Sequence, residues 1–213
     1  MIKPILQTYR LSNVKLPLDH NSGALRAKII AHLEIRNEEL VNFYVYRRGY
    51  DARNKSNIHF IYTLDLTFSE GVDIDNLVNK FKLQLTPDMT YRQVFGETEG
   101  LSYTGCSGYQ RPVVIGTGPC GLFAALTLAQ MGLRPLVVER GQAVRQRTKD
   151  TWGFWRDQKF KEESNVQFGE GGAGTFSDGK LWSQVKDPRH LGRKVMEEMV
   201  KGGAPEEILY VSK

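Results

Sequence analysis

The segment VVIGTGPCGLFAALTLAQMGLRPLVVERG, residues 113–141, constrains this chain more than any other. A short apolar run, PVVI, leads straight into Gly116-Thr117-Gly118-Pro119-Cys120-Gly121, and a helical pattern, LFAALTLAQMG, follows at once. Each glycine of such a strand–turn–helix has its own reason. Gly116 makes the tight bend, Gly118 lets backbone approach a pyrophosphate, and Gly121 lets the helix pack closely on the strand. The helix N-terminus offers unpaired N–H groups and a partial positive charge to phosphates. Ala125 keeps the sheet-facing side of the helix small, and Gly132 stands where the helix should end. PLVV then reads as a second buried-type strand closing on Glu139, 18 residues beyond Gly121. An acid there can accept from both hydroxyls of an adenosine ribose and would repel a 2′-phosphate. The residues therefore predict a dinucleotide site that disfavours NADP.

Composition excludes several alternatives. No apolar run approaches the roughly 18 residues of a membrane span, and MIKPILQTYRLSN lacks the apolar core of a secretory signal. A cytoplasmic protein without membrane partners is the expectation. Two cysteines, Cys106 and Cys120, cannot build a disulfide scaffold or a four-thiolate site. His20, His32, His59 and His190 show no ligand spacing, so no metal site is predicted. The net charge of +5 falls mainly on residues 111–213, which carry 16 basic and 12 acidic side chains. That excess suits an anionic cofactor and nucleic acid equally well.

Residues 1–100 have a different grammar and predict a small α+β domain. Residues 5–16 look extended, and ALRAKIIAHLEI (24–35) places Leu25, Ile29, His32 and Leu33 on one helical face behind Ser22 as N-cap. LVNFYVYRRGY (40–50) and NIHFIYTLDLTF (57–68) should pair as a hairpin, and VDIDNLVNKF (72–81) should form a short helix. The Gly/Ser/Thr-rich stretch 96–108 marks a linker, bounded at 101–110, before the second region, 111–213. Phe43, Tyr44, Tyr46, Phe60 and Tyr62 on the hairpin, with RRGY at 47–50, raise an RNA-binding reading. DARNK does not continue that motif, so aromatics packing a core is the preferred reading and nucleic acid is not an expected partner.

The spacing Gly121-x3-Ala125-x6-Gly132-x6-Glu139, followed by Arg140-Gly141, resembles the FAD-binding domain of two-dinucleotide-fold flavoproteins. NVQFGEGGAGTFSDGKL (165–181) is similar to the second glycine loop of a bacterial family of FAD-dependent, or NAD(FAD)-utilising, dehydrogenases. PLDH (17–20) and YDARNK (50–55) resemble that family's small leading domain, with Gly49 standing where serine would be expected. The resemblance implies FAD as cofactor, NAD(P)H as a candidate electron donor, and a small-molecule substrate. It implies cofactor contacts from Gly116, Gly118, Pro119, Cys120, Gly121, Glu139, Arg140 and Gly141, and from Gly171, Gly172, Ala173, Gly174, Thr175, Ser177 and Lys180. Read physically, the glycines of the second loop permit positive φ and close approach to a flat ligand. Thr175, Ser177 and Lys180 add donors for phosphate, ribityl or a ring carbonyl. Cys120, in a place usually held by alanine, should pack without chemistry.

The fold class expected is thus α/β: a small α+β domain followed by the first part of a Rossmann-like FAD/NAD(P)-binding domain. About five strands are needed around a doubly wound switch point, whereas the sequence offers two and a candidate third, ILYV (208–211). A truncated domain, the front portion of a longer protein, is the expectation. TWGFWRDQKFKEES (151–164) should be an amphipathic helix on the sheet. No nucleophile–base or paired-carboxylate arrangement stands out, and no catalytic residue is named. A non-catalytic flavin- or nucleotide-binding module and an RNA-associated protein are the competing readings.

Overall fold

The structure is a computed structural model that describes residues 7–93, 110–177 and 186–211. The chain divides into two compact units: Met1–Tyr91 with Lys186–Lys213, and Arg92–Val185. Of the linker expected at 101–110, all but Gln110 lies outside the described residues.

The first unit contains β1 (Thr8–Pro17), α1 (Ala24–Leu33), β2 (Leu40–Asp51), β3 (His59–Phe68), α2 (Ile74–Phe81) and β4 (Gln84–Leu85). The strands form one antiparallel sheet ordered β2-β3-β1-β4, a split β-α-β of the ferredoxin-like kind. Alternation on β3 puts Leu64, Leu66 and Phe68 into the core with Leu11, Val14 and Leu16 of β1. Leu25, Ile29 and Leu33 of α1 and Leu77 of α2 complete that core. His32, expected on the buried face, is exposed and lies beside the Phe81 ring. Nor is Ser22 the cap of α1: Gly23 holds that position, and its N–H donates to Asn21 Oδ1.

Two bulges fall on nearly the same row of this sheet. Pairing slips between Leu11 and Val14 on β1, where Asn13 takes φ 64°, and between Val45 and Arg47 on β2. The first slip is why Leu11 and Val14, three residues apart, both reach the core. The second sends Tyr44, opposite Asp65, and Tyr50, opposite Phe60, to opposite faces. Phe60 and Tyr62 share the core side of β3. The other side of β1 and β3 presents Thr8, Arg10, Lys15, Ile61, Thr63, Asp65 and Thr67, without an aromatic platform. Gly49 has open space where a Cβ would stand, so serine would fit there.

Within residues 186–211 the helix is where HLGRKVMEEMVKGG predicts one, and the departure from expectation is at ILYV (208–211). The helix Leu191–Lys201 belongs to the first unit, and the Asp187 carboxylate accepts from the Leu191 and Gly192 N–H groups of its first turn. Glu206–Leu209 is a 3-10 turn rather than a strand. The Arg48 N–H donates to the Tyr210 carbonyl at 2.7 Å, and Val211 forms a single parallel bridge with Arg48. ILYV therefore meets the edge of the first unit's sheet and adds no strand to the second. Pro205 and two glutamates open the 3-10 turn, which overrides the strand propensity of Ile208 and Val211.

The second unit contains β5 (Val113–Ile115), α3 (Pro119–Gln130), β6 (Leu136–Val138) and α4 (Val144–Asp157). β5 and β6 pair in parallel, Val113 with Leu136 through Ile115 with Val138. The apolar side chains of these two buried-type strands lie open: Ile115 is 87% exposed and Val113 57%. Among the described residues of this unit the buried side chains are polar: Arg147, Asp150, Thr151, Ser164 and Asn165. α4 begins seven residues before the expected helix, and Trp152, Phe154 and Trp155 remain exposed. Its start is fixed from outside, because Glu170 accepts the Val144 N–H at 2.7 Å and sets a negative charge at the helix N-terminus.

Leu64 is fully buried at the centre of the first unit's core. Leu64→Ala should cost about 2–5 kcal/mol, read as a lowered denaturation midpoint in the near-UV tyrosine signal. A midpoint unchanged from the parent chain would place the core elsewhere.

Candidate functional site

The turn after β5 sets the site. Gly116 takes φ 93°, and Gly118 is the N-cap of α3 with Pro119 at its first turn. A side chain at Gly121 would collide with the Gly116 carbonyl and then meet Val114, so only glycine lets the helix start this close to the strand. The N–H of Gly116 donates to the Val138 carbonyl, which ties the turn to the end of β6.

Glu139 follows directly, and its carboxylate bridges two arms of backbone. One oxygen accepts the Thr117 N–H and the Thr117 hydroxyl, both at 2.7 Å, and the other accepts the Gly141 N–H at 2.8 Å. The amides of Gly141 and Thr117, with the Thr117 hydroxyl, hold this carboxyl below the ordinary carboxylate range. It is charged at neutral pH.

The second glycine loop packs on the first. The Gly171 N–H donates to the Thr117 carbonyl at 2.9 Å. A Cβ at Gly172 would lie 2.9 Å from Gly118 Cα, and one at Gly141 would run into Gly169 Cα. Backbone thus lies against backbone at two places, Gly118 on Gly172 and Gly141 on Gly169. Between them is a cavity of about 360 Å³, lined by Gly116, Gly118, Glu139, Arg140, Gly141 and Gly172 among the expected residues. Ile115, Glu163, Gln167, Phe168 and Gly169 complete the lining, and Arg140 pairs with Glu163 at its exposed rim.

The other expected residues have different places. Pro119 and Gly121 shape the turn. Cys120, in the first turn of α3, is an exposed free thiol and does not pack as expected. Gly171 and Gly172 take positive φ, as expected, whereas Gly174 does not and lies against Pro119. Ala173 and Ser177 are exposed. Thr175 donates to the Glu170 carbonyl and accepts from Arg147. Lys180 lies outside the described residues.

Sequence reasoning missed Arg147, Asn165 and Gly169. Arg147 has no exposed surface and donates to the carbonyls of Asn165, Val166 and Glu170 at 2.6–2.7 Å and to Thr175 at 3.1 Å. Asp150, one turn later, accepts from Lys161, Ser164 and Gln146. Together these side chains fold 161–175 against α4. Only the polar character of VRQRTKD could have hinted at a polar interior.

A larger cavity of about 510 Å³ lies in the first unit, beside Tyr44, Tyr46, Asp65 and Tyr210. Its buried acid is already engaged: Arg10 holds Asp65 at 2.7 and 2.9 Å while stacking on the Tyr46 ring, and Thr86 donates to the same carboxylate. The glycine cradle, with a charged acceptor at its rim, is the better candidate. Among the described residues no group of three His, Cys, Asp or Glu could hold a metal ion, and no helix is long and apolar enough to cross a membrane.

Comparison with known proteins agrees with this geometry. The family model described as an FAD binding domain matches residues 111–151, which span β5, α3, β6 and the start of α4. That match supports a flavin-binding protein related to FAD-binding oxidoreductases. Residues 8–67 match a domain of unknown function, DUF8436. An uncharacterized protein of Clostridium beijerinckii is 40% identical over 208 residues, covering 96% of this chain and 37% of that protein.

Asp150 and Glu139 both have lowered pKa values, Asp150 chiefly through Lys161 and then Ser164. Their stabilisation is complete above the ordinary carboxylate range, about pH 4, and is lost as pH falls through the lowered values. Melting of the second unit, followed by tryptophan fluorescence, should therefore shift down in acid, and Asp150→Asn should flatten that shift. An acid profile identical in the variant would remove Asp150 from the account.

Proposed function

We propose that this chain binds FAD through its adenosine-diphosphate half. In this reading Glu139 accepts hydrogen bonds from the adenosine ribose, and the first turn of α3 receives the pyrophosphate. The observation that carries the proposal is the bridged carboxylate of Glu139, held charged at the rim of a cavity to which five glycines contribute bare backbone. The donor set fits such a ligand: amide and helix-terminal N–H groups for phosphate, and one fixed anion for hydroxyls. A cavity of about 360 Å³ suits one nucleotide half and not an entire FAD.

We further propose that the protein to which this cradle belongs is a flavin-dependent dehydrogenase of the NAD(FAD)-utilising kind, acting on a small molecule with NAD(P)H as electron donor. Bound flavin supplies hydride transfer, and the protein contributes binding, orientation and exclusion of water. The titratable groups of the cavity, Glu139, Arg140 and Glu163, are recognition groups, so binding is the role assigned to this chain itself. The open faces of β5 and β6 leave apolar surface on which further strands or a partner segment could pack. The RNA-associated reading has less support, since Tyr62 is buried and the exposed tyrosines of β2 lie on opposite faces.

Glu139→Ala removes charge-assisted hydrogen bonds worth about 1.5–3 kcal/mol and should weaken FAD binding about ten- to a hundredfold, read by quenching of flavin fluorescence. Undiminished FAD affinity in that variant would place the ribose contact elsewhere. Gly172→Val, which drives a side chain into Gly118, should also reduce flavin retention while leaving the first unit's tyrosine signal unchanged. Normal flavin content and spectrum in Gly172→Val would mean that the second loop is not part of the cradle.

A further inference from the structure

We infer that Arg147 gives this cradle its preference for a ligand carrying a diphosphate, acting as a buried positive charge behind Gly169 while it holds the second glycine loop in position. The inference rests on the reading of the cavity as an adenosine-diphosphate site and adds the residue that sets its charge selectivity.

The guanidinium of Arg147 is fully buried, and its hydrogen-bond partners are neutral: three carbonyls and the Thr175 hydroxyl. The Phe176 ring lies 4.9 Å from its centre. No carboxylate among the described residues makes an ion pair with it. A buried charge satisfied only by dipoles keeps its field, because nothing of opposite sign cancels it at contact and little water screens it. Glu139, at the cavity rim, is the acid whose charge it feels.

Gly169 connects this charge to the cavity. It lines the cavity wall, takes φ 116°, and a Cβ there would lie 2.8 Å from Arg147 Cδ and 3.2 Å from Nε. One layer of backbone, without a side chain, separates the arginine from the ligand space. The acids at the rim, Glu139 and Glu163, would repel a diphosphate unless a positive charge offset them. Arg140 is exposed and already paired with Glu163, so its charge is screened by water. Arg147 is the cation that water cannot reach.

The test uses this chain with ADP and adenosine as probes, each titrated by calorimetry, beside FAD binding to the parent. The parent should bind ADP more tightly than adenosine. Arg147→Met should weaken ADP by about tenfold or more and adenosine far less, so that the ratio between the two collapses. Arg147→Lys keeps the charge and loses the planar fork; both ligands should weaken with the ratio retained. A purely structural arginine would weaken both ligands equally in Arg147→Met, and that result overturns the inference. So does a parent that shows no preference for ADP. If Arg147→Met fails to melt cooperatively, Arg147→Lys decides, and a collapsed ratio there overturns the charge role. A parent that binds neither ADP nor FAD defeats the reading of the cavity itself, whereas binding with an unaltered ratio in Arg147→Met defeats only this inference.

Discussion

Burying a guanidinium is costly unless its donors find acceptors, and Arg147 directs four N–H groups to the Thr175 hydroxyl and to three carbonyls drawn from a segment about twenty residues away. The arrangement works only if 165–170 folds back over α4 with its carbonyls turned inward. Once they are, Gly169 stands beside the arginine stem and Gly171 reaches the Thr117 carbonyl. The second glycine loop thus arrives on the first as a consequence of one side chain's hydrogen bonds. Asn165 reinforces the turn, since its side chain donates to the Lys161 and Glu162 carbonyls and accepts the Gln167 and Phe168 N–H groups.

The two units are stabilised by different physics. The first has an apolar core in which Leu64, Leu66 and Ile29 are essentially inaccessible, so area removed from water drives it. The second buries polar groups and leaves its short strands open, so directional bonds determine its local geometry. Directional bonds contribute little net stability each but are expensive to leave unmade. That asymmetry suits a ligand cradle, where shape must be held without filling the space with side chains.

Much of this was legible in the sequence, and the exceptions share a cause. Richness in β-branched and aromatic residues placed β2 and β3, and the spacing of the glycines with Glu139 placed the candidate cradle, because those signals are local. The bulges at Asn13 and near Tyr46 were not legible: a single extra residue leaves alternation looking intact on either side. Asn13, a residue type that tolerates the left-handed region, was the only local mark. ILYV was misplaced because strand propensity does not say which sheet edge it will meet. Arg147 and Gly169 were missed for the same reason, since each matters through a neighbour distant in sequence. Cys120 was expected to pack in a place the resemblance gives to alanine, yet it is exposed.

Glu139 also limits how a ribose can be received. A carboxylate has about four lone-pair positions, and here three are taken by the Thr117 N–H, the Thr117 hydroxyl and the Gly141 N–H. At most one remains for a ligand. Accepting from both hydroxyls of a ribose therefore requires one internal donor to leave. The two amides are fixed by the backbone of the turn, and the hydroxyl of Thr117 rotates about a single bond, so it is the donor that can yield. The carboxylate would then keep its amides, and with them its charge and direction, while exchanging one internal hydroxyl for ligand hydroxyls. Thr117→Val would leave that lone pair open in the free protein and remove the exchange, so ribose-containing ligands should bind Thr117→Val at least as tightly as the parent. Weaker binding of adenosine to Thr117→Val would show that the hydroxyl contacts the ligand directly instead of giving way to it.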